Sequence, residues 1–100
     1  MKKALVLTDA AKSDLRGIRQ YIAQESPQQA LTFVADIAAK IAWIAEVGFA
    51  GSSRDHVSEG LRAFPYRGRC IHYRVFDDRV VIVRVLHGAQ DIEQQDFDRP

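Results

Sequence analysis

Cys70-Ile71-His72-Tyr73-Arg74-Val75-Phe76-Asp77-Asp78-Arg79-Val80-Val81-Ile82-Val83-Arg84-Val85-Leu86-His87 is the stretch on which the fold turns. Its first half alternates. Ile71, Tyr73 and Val75 fall on one face, and Cys70, His72, Arg74 and Phe76 fall on the other, the two-residue period of a strand. Asp77-Asp78 is a tight turn, and the run from Val80 to Leu86 is apolar at nearly every position, as a central strand covered on both faces requires. Strands Cys70–Phe76 and Arg79–His87 therefore pair as a hairpin, with Leu61–Pro65 as a third strand ahead of them.

Upstream the period is helical. Ala11, Leu15, Ile18 and Ile22 make one apolar face of a helix that Thr8 or Asp9 can cap and that Gln24-Glu25 ends. A second helix begins at Ser26, with Pro27 at the first helical position and Gln29 placed for a capping box. Its core stripe is Ala30, Phe33, Val34, Ile37, Ala38, Ile41, Ile44 and Ala45, and Gly48 is its stop. Thr32, Asp36 and Lys40 mark the wet side, while Leu31, Ala35 and Ala42 widen the apolar surface. The short link makes the helices an antiparallel hairpin. Ala4–Leu7 reads as a buried strand, and Gly48 to Gly60 reads as a loop. The predicted class is α+β in the order β-α-α-β-β-β, a helical hairpin packed on a mainly antiparallel sheet. Residues 4–47 supply the first strand and the hairpin, residues 61–87 the three-stranded segment and residues 91–100 an acidic tail, with a short helical turn expected from Asp91 to Asp96.

The chain has 100 residues, enough for one domain, and 47% hydrophobic with 27% charged residues excludes intrinsic disorder. A lone cysteine excludes an internal disulfide and a multi-cysteine metal site. No pair of histidines has ligand spacing, so no metal or cofactor is expected. The apolar run after Lys2-Lys3 is too short for a signal peptide, and no run is long enough to span a bilayer, which points to the cytoplasm. The net charge of +1 gives no support to a nucleic-acid coat, yet it conceals a division. Residues 1–60 balance, residues 61–90 carry six arginines against two acids, and residues 91–100 carry four acids and one arginine.

From Leu61 to Asp91 the sequence resembles the ParE/RelE toxin superfamily, most closely its ParE branch. The resemblance rests on the Tyr73-Arg74-Val75 strand, the Asp77-Asp78 turn, the Val81-Ile82-Val83-Arg84-Val85 strand and the ending Leu86-His87-Gly88-Ala89-Gln90-Asp91. Leu7-Thr8-Asp9-Ala10-Ala11, Asp14-Leu15, Ile18 and Tyr21-Ile22 extend it to the N-terminal half. It implies the toxin of a type II toxin–antitoxin pair that inhibits DNA gyrase by protein–protein binding rather than catalysis. It also implies a cognate ParD-like antitoxin with a ribbon-helix-helix DNA-binding N-terminus, so sequence-specific DNA binding is not expected of this chain. A RelE-like ribosome-dependent mRNA endonuclease, or a non-toxic relative that only binds its antitoxin, is the alternative.

RNA cleavage by 2′-OH attack needs a base, an acid and cations around the phosphorane. Arg62, Arg67, Arg69, Arg74 and Arg84 offer charge, and His87 or Tyr66 offers proton transfer. However, RelE-like nucleases typically carry lysines and arginines on the sheet and a tyrosine or arginine near the C-terminus. Here no lysine follows Lys40, no tyrosine follows Tyr73, and Gln90 stands where many relatives have arginine. No residue is therefore assigned a catalytic role. Arg62, Arg67, Arg69, Arg74, Arg84, His87, Gln90 and Trp43 are the candidates for contact with antitoxin or target. Loop arginines 67 and 69 lead, and Trp43 stands out as a large aromatic near the polar stripe of its helix. His87 reads as a ring packed at the sheet edge, His72 as half-exposed, and Cys70 as a partly buried structural thiol.

Overall fold

The structure, a computed structural model, describes residues 3–49 and 51–87. Strand β1 (Ala4–Leu7) leads into helices α1 (Asp9–Ala23) and α2 (Pro27–Val47), followed by β2 (Ser52–Ser53), β3 (Arg62–Tyr66), β4 (Arg69–Val75) and β5 (Arg79–His87). The sheet runs β1-β5-β4-β3-β2, antiparallel except that β1 lies parallel to β5. The α+β class and the helical hairpin on a mainly antiparallel sheet are as the sequence predicts. The two-residue β2 is an addition: Ser52 pairs with Ala63 and Ser53 with Arg62. Strand β1 is present but not buried as predicted: at the edge of the sheet it leaves Leu5 and Val6 exposed. The predicted acidic turn at Asp91–Asp96 and the rest of the tail lie outside the described residues.

Local chemistry fixes the helix ends. Thr8 caps α1, its Oγ1 accepting the Ala11 N–H at 3.0 Å. Ser26 caps α2 by accepting from Gln29 N–H at 3.2 Å, while its own N–H donates to the Ile22 carbonyl, so only one half of the capping box forms. Gly48 ends α2 in the left-handed region at φ 64° and returns its N–H to Ile44.

The helices cover one sheet face. Ile18, Ile37, Ile41 and Ile44 meet Ile71, Tyr73, Val80, Ile82 and Val85 there, and each fully buried side chain of this size contributes about 2 kcal/mol of transfer free energy. The opposite face is also closed, by the loop ahead of β3: Leu61 and Val57 pack on Val81, Val83 and Leu86. Arg74 holds that loop down, donating from Nη1 to the Glu59 carbonyl and from Nη2 to Ser58 Oγ, both at 2.8 Å. His72 lies beneath the same loop and is fully buried, which corrects the half-exposed reading.

Strand β5 contains a bulge. Ile82 opposes Tyr73 and Arg84 opposes His72, so Val83 is the extra residue and the facing pattern changes phase across it. The freed backbone groups find partners nearby, as buried polar groups must. Thr8 Oγ1 donates to the Val83 carbonyl at 2.7 Å, and the Val85 N–H donates to Asp14 Oδ2 at 2.9 Å.

The β3–β4 connection is tighter than predicted. Arg67-Gly68 forms a two-residue turn with φ of 52° and 77°, which brings Tyr66 opposite Arg69.

Candidate functional surface

Helical spacing aligns Phe33, Asp36, Lys40 and Trp43 on the side of α2 that borders β3. Strand β3 answers with Phe64 and Tyr66, whose rings lie on the helix side of the sheet. The result is a continuous aromatic run. Trp43 lies 5.2 Å from Phe49 and 6.2 Å from Phe64, Phe49 meets Phe64 edge-on at 5.5 Å, and Phe64 stacks on Tyr66 at 6.5 Å.

Cations thread this run. Lys40 Nζ sits 4.7 Å from the Trp43 ring, 5.2 Å from Tyr66 and 5.6 Å from Phe64. The Arg67 and Arg69 guanidinium groups sit 5.0 and 5.8 Å from the Phe33 ring, and Arg67 also pairs with Asp36. Such contacts are worth about 0.5–1 kcal/mol each at exposed sites, so they orient the side chains more than they stabilise the fold. The surface ends in exposed apolar groups: Trp43 is 39% exposed, Phe49 37% and Val47 53%. Beyond Ala63, β3 has no pairing strand on its outer side among the described residues, so Phe64–Tyr66 present an open sheet edge beside the aromatic run.

The sequence-predicted candidates separate on this geometry. Trp43, Arg67 and Arg69 lie on the α2–β3 surface. Arg62 is half-buried between Ser53 and Tyr73. Arg74 is buried and occupied with its loop, and Arg84 is ion-paired with Asp14, so neither offers its charge to a partner. His87 is exposed at the end of β5, beside Arg69 and Tyr21 around one concavity. Gln90 lies outside the described residues. Sequence reading missed Lys40, Phe49 and Phe64, and weighed Tyr66 only for proton transfer; only the 33/36/40/43 spacing on α2 signalled the stripe.

Titration chemistry does not mark a reactive centre among these groups. Burial pushes the Cys70 thiol above its ordinary range, with Arg54 opposing, so the thiol is not activated. Burial, aided by Arg54, lowers the His72 pKa to about 4, and burial raises Tyr73 to about 12 while its hydroxyl donates to the Phe49 carbonyl. Among the described residues no cluster of His, Cys, Asp or Glu is arranged to hold a metal ion, and no helix is long and apolar enough to cross a membrane.

A helical hairpin on one face of a mostly antiparallel sheet, bordered by an aromatic and cationic surface, defines the class to which this fold and surface belong. Residues 5–92 match the family model described as the ParE toxin of type II toxin–antitoxin system, parDE, and the chain belongs to that family. Among solved structures it is similar to a chain of the chromosomal ParDE toxin–antitoxin system from P. aeruginosa, with a TM-score of 0.72 and 25% identity over 86% of this chain and 96% of that one. No curated protein sequence matches it significantly.

Proposed function

We propose that this chain inhibits DNA gyrase in the cytoplasm by protein–protein binding, without catalysis, and that a cognate ParD-like antitoxin neutralises it. The observation that carries the reading is the α2–β3 surface: exposed Trp43 and Phe49, a lysine laid across three rings, two arginines over Phe33, and an open edge at Phe64–Tyr66. An antitoxin segment that folds as helix and strand, with acidic and apolar side chains, fits each part. Its strand extends β3, its apolar groups cover Trp43 and Phe49, and its acids meet Arg67 and Arg69. The nuclease alternative is less well supported, because Arg74 and Arg84, two of the cations it needs, are consumed inside the fold.

Induced expression tests the reading. Growth should stop with replication stalled, and co-expression of a neighbouring gene encoding a ribbon-helix-helix protein with an acidic C-terminal segment should restore it. Normal growth would instead favour a relative that only binds its antitoxin.

A further inference from the structure

A second cationic feature lies at the end of the sheet. Arg54, Arg67 and Arg69 line one concavity of about 430 Å³, together with Pro65, Gly68 and Cys70, and no acid contributes to its lining. Arg54 comes from the loop after β2, whereas Arg67 and Arg69 come from the β3–β4 turn, so two separate segments deliver charge to one place. Asp55, the acid nearest Arg54 in sequence, is turned into its own loop and accepts the Gly60 N–H at 2.9 Å.

Arg69 also lines an adjoining concavity of about 430 Å³ with Tyr21 and His87. Its acid, Asp14, is already held by Arg84 and the Val85 amide. Tyr21 is 70% exposed and presents a ring without burial.

We propose that this end of the sheet is a binding site for the phosphate backbone of a single nucleic-acid strand, with Arg54 and Arg69 as its phosphate contacts and Arg67, whose charge is shared with Asp36, at its rim. Guanidinium forks match phosphate oxygens two at a time. Two concavities sharing Arg69 suit anions spaced regularly along a chain, and an exposed tyrosine beside them gives a base a ring to stack on. The contacts are to backbone, so the binding is independent of base sequence. This inference stands apart from gyrase inhibition, and trapping of gyrase by the same protein tests that reading separately.

The test is fluorescence anisotropy of a labelled mixed-sequence single-stranded DNA 12-mer titrated with the full chain at several salt concentrations. Two phosphate contacts predict a slope of log K against log salt of about −1.4. Arg54→Ala and Arg69→Ala should each weaken binding roughly 3- to 10-fold and flatten the slope by about 0.7, while Arg54→Lys keeps most of the affinity. Arg19→Ala removes the same charge from the outer side of the helical hairpin and should change binding less than about 2-fold. Circular dichroism melts confirm that the variants fold. Equal losses with Arg19→Ala, absence of binding at low salt, or an Arg54→Ala variant that loses oligoglutamate binding as much as it loses DNA binding would each overturn the proposal. The last outcome would assign the site to an acidic peptide.

Discussion

Asp14 on α1 and Arg84 on β5 form a two-point ion pair, with Nε to Oδ2 at 2.8 Å and Nη2 to Oδ1 at 2.9 Å. The side chains are only 15% and 18% exposed, and the same carboxylate accepts the Val85 N–H that the β5 bulge frees. One acid therefore ties the first helix to the last strand and satisfies the backbone at the irregularity.

Asp14→Ala leaves a largely buried guanidinium and an amide without their acceptor, and should lower unfolding free energy by about 3 kcal/mol. Asp14→Ala with Arg84→Met removes the stranded charge and should recover part of that loss, but not the share due to Val85. Urea denaturation of the two single variants and the double variant closes the cycle. Equal stability of wild type and Asp14→Ala would show that this pair does not clamp α1 to β5.

Gly51 lies at φ 63° with its Cα directed at Tyr73. A Cβ there would strike the Tyr73 hydroxyl and stand 2.7 Å from the Ala63 carbonyl. Gly51→Ala should destabilise by about 2 kcal/mol or more, combining the left-handed backbone with the overlap. Tyr73→Phe removes the hydroxyl that is struck, so the double variant should fall short of the sum of the singles in thermal melts. Strict additivity would place the cost in the backbone and at Ala63 alone.

His72 gives the fold an acid-sensitive element. Burial first, and the Arg54 charge second, hold its pKa at about 4 in the folded chain, against an ordinary value of 6.5. Between these values the unfolded chain binds the proton and the folded chain does not, so acid favours unfolding. The stability that neutral His72 supplies is complete above pH 6.5 and falls away toward pH 4, by on the order of 3 kcal/mol. His72→Gln cannot take up a proton and should flatten that part of the profile. An unchanged slope in the variant would assign the pH dependence to other groups.

Trp43 is the aromatic anchor of the α2–β3 surface. Trp43→Ala should weaken antitoxin binding roughly 30-fold, which corresponds to about 2 kcal/mol, while lowering stability by less. Isothermal titration with the purified antitoxin, beside a melt of the variant, separates the two effects. Unaltered affinity would move the antitoxin off this surface.

Local periodicity made most of the architecture legible. Alternation from Cys70 to Phe76 and the 3.6-residue stripe of α2 depend on near neighbours, and both are seen in the fold. What escaped depends on distant partners. Ser52-Ser53 has no apolar pattern and becomes a strand only because β3 lies beside it. The all-apolar run in β5 conceals its bulge, since every residue there suits either face. His72 reads as half-exposed until Leu61 and Val57 close that face. Arg74 and Arg84 read as surface charge because their partners lie 15 to 16 and 70 residues away. The α2–β3 surface was only partly legible: Trp43 and the loop arginines stood out, but Lys40 looked solvated until β3 placed rings beneath it.

A cleavage assay with the purified chain, gyrase and supercoiled DNA tests gyrase trapping directly. Linear DNA covalently linked to gyrase is expected, with its suppression when the antitoxin is added first. Codon-phased mRNA ends after induction, with no trapped gyrase in the assay, would contradict gyrase inhibition.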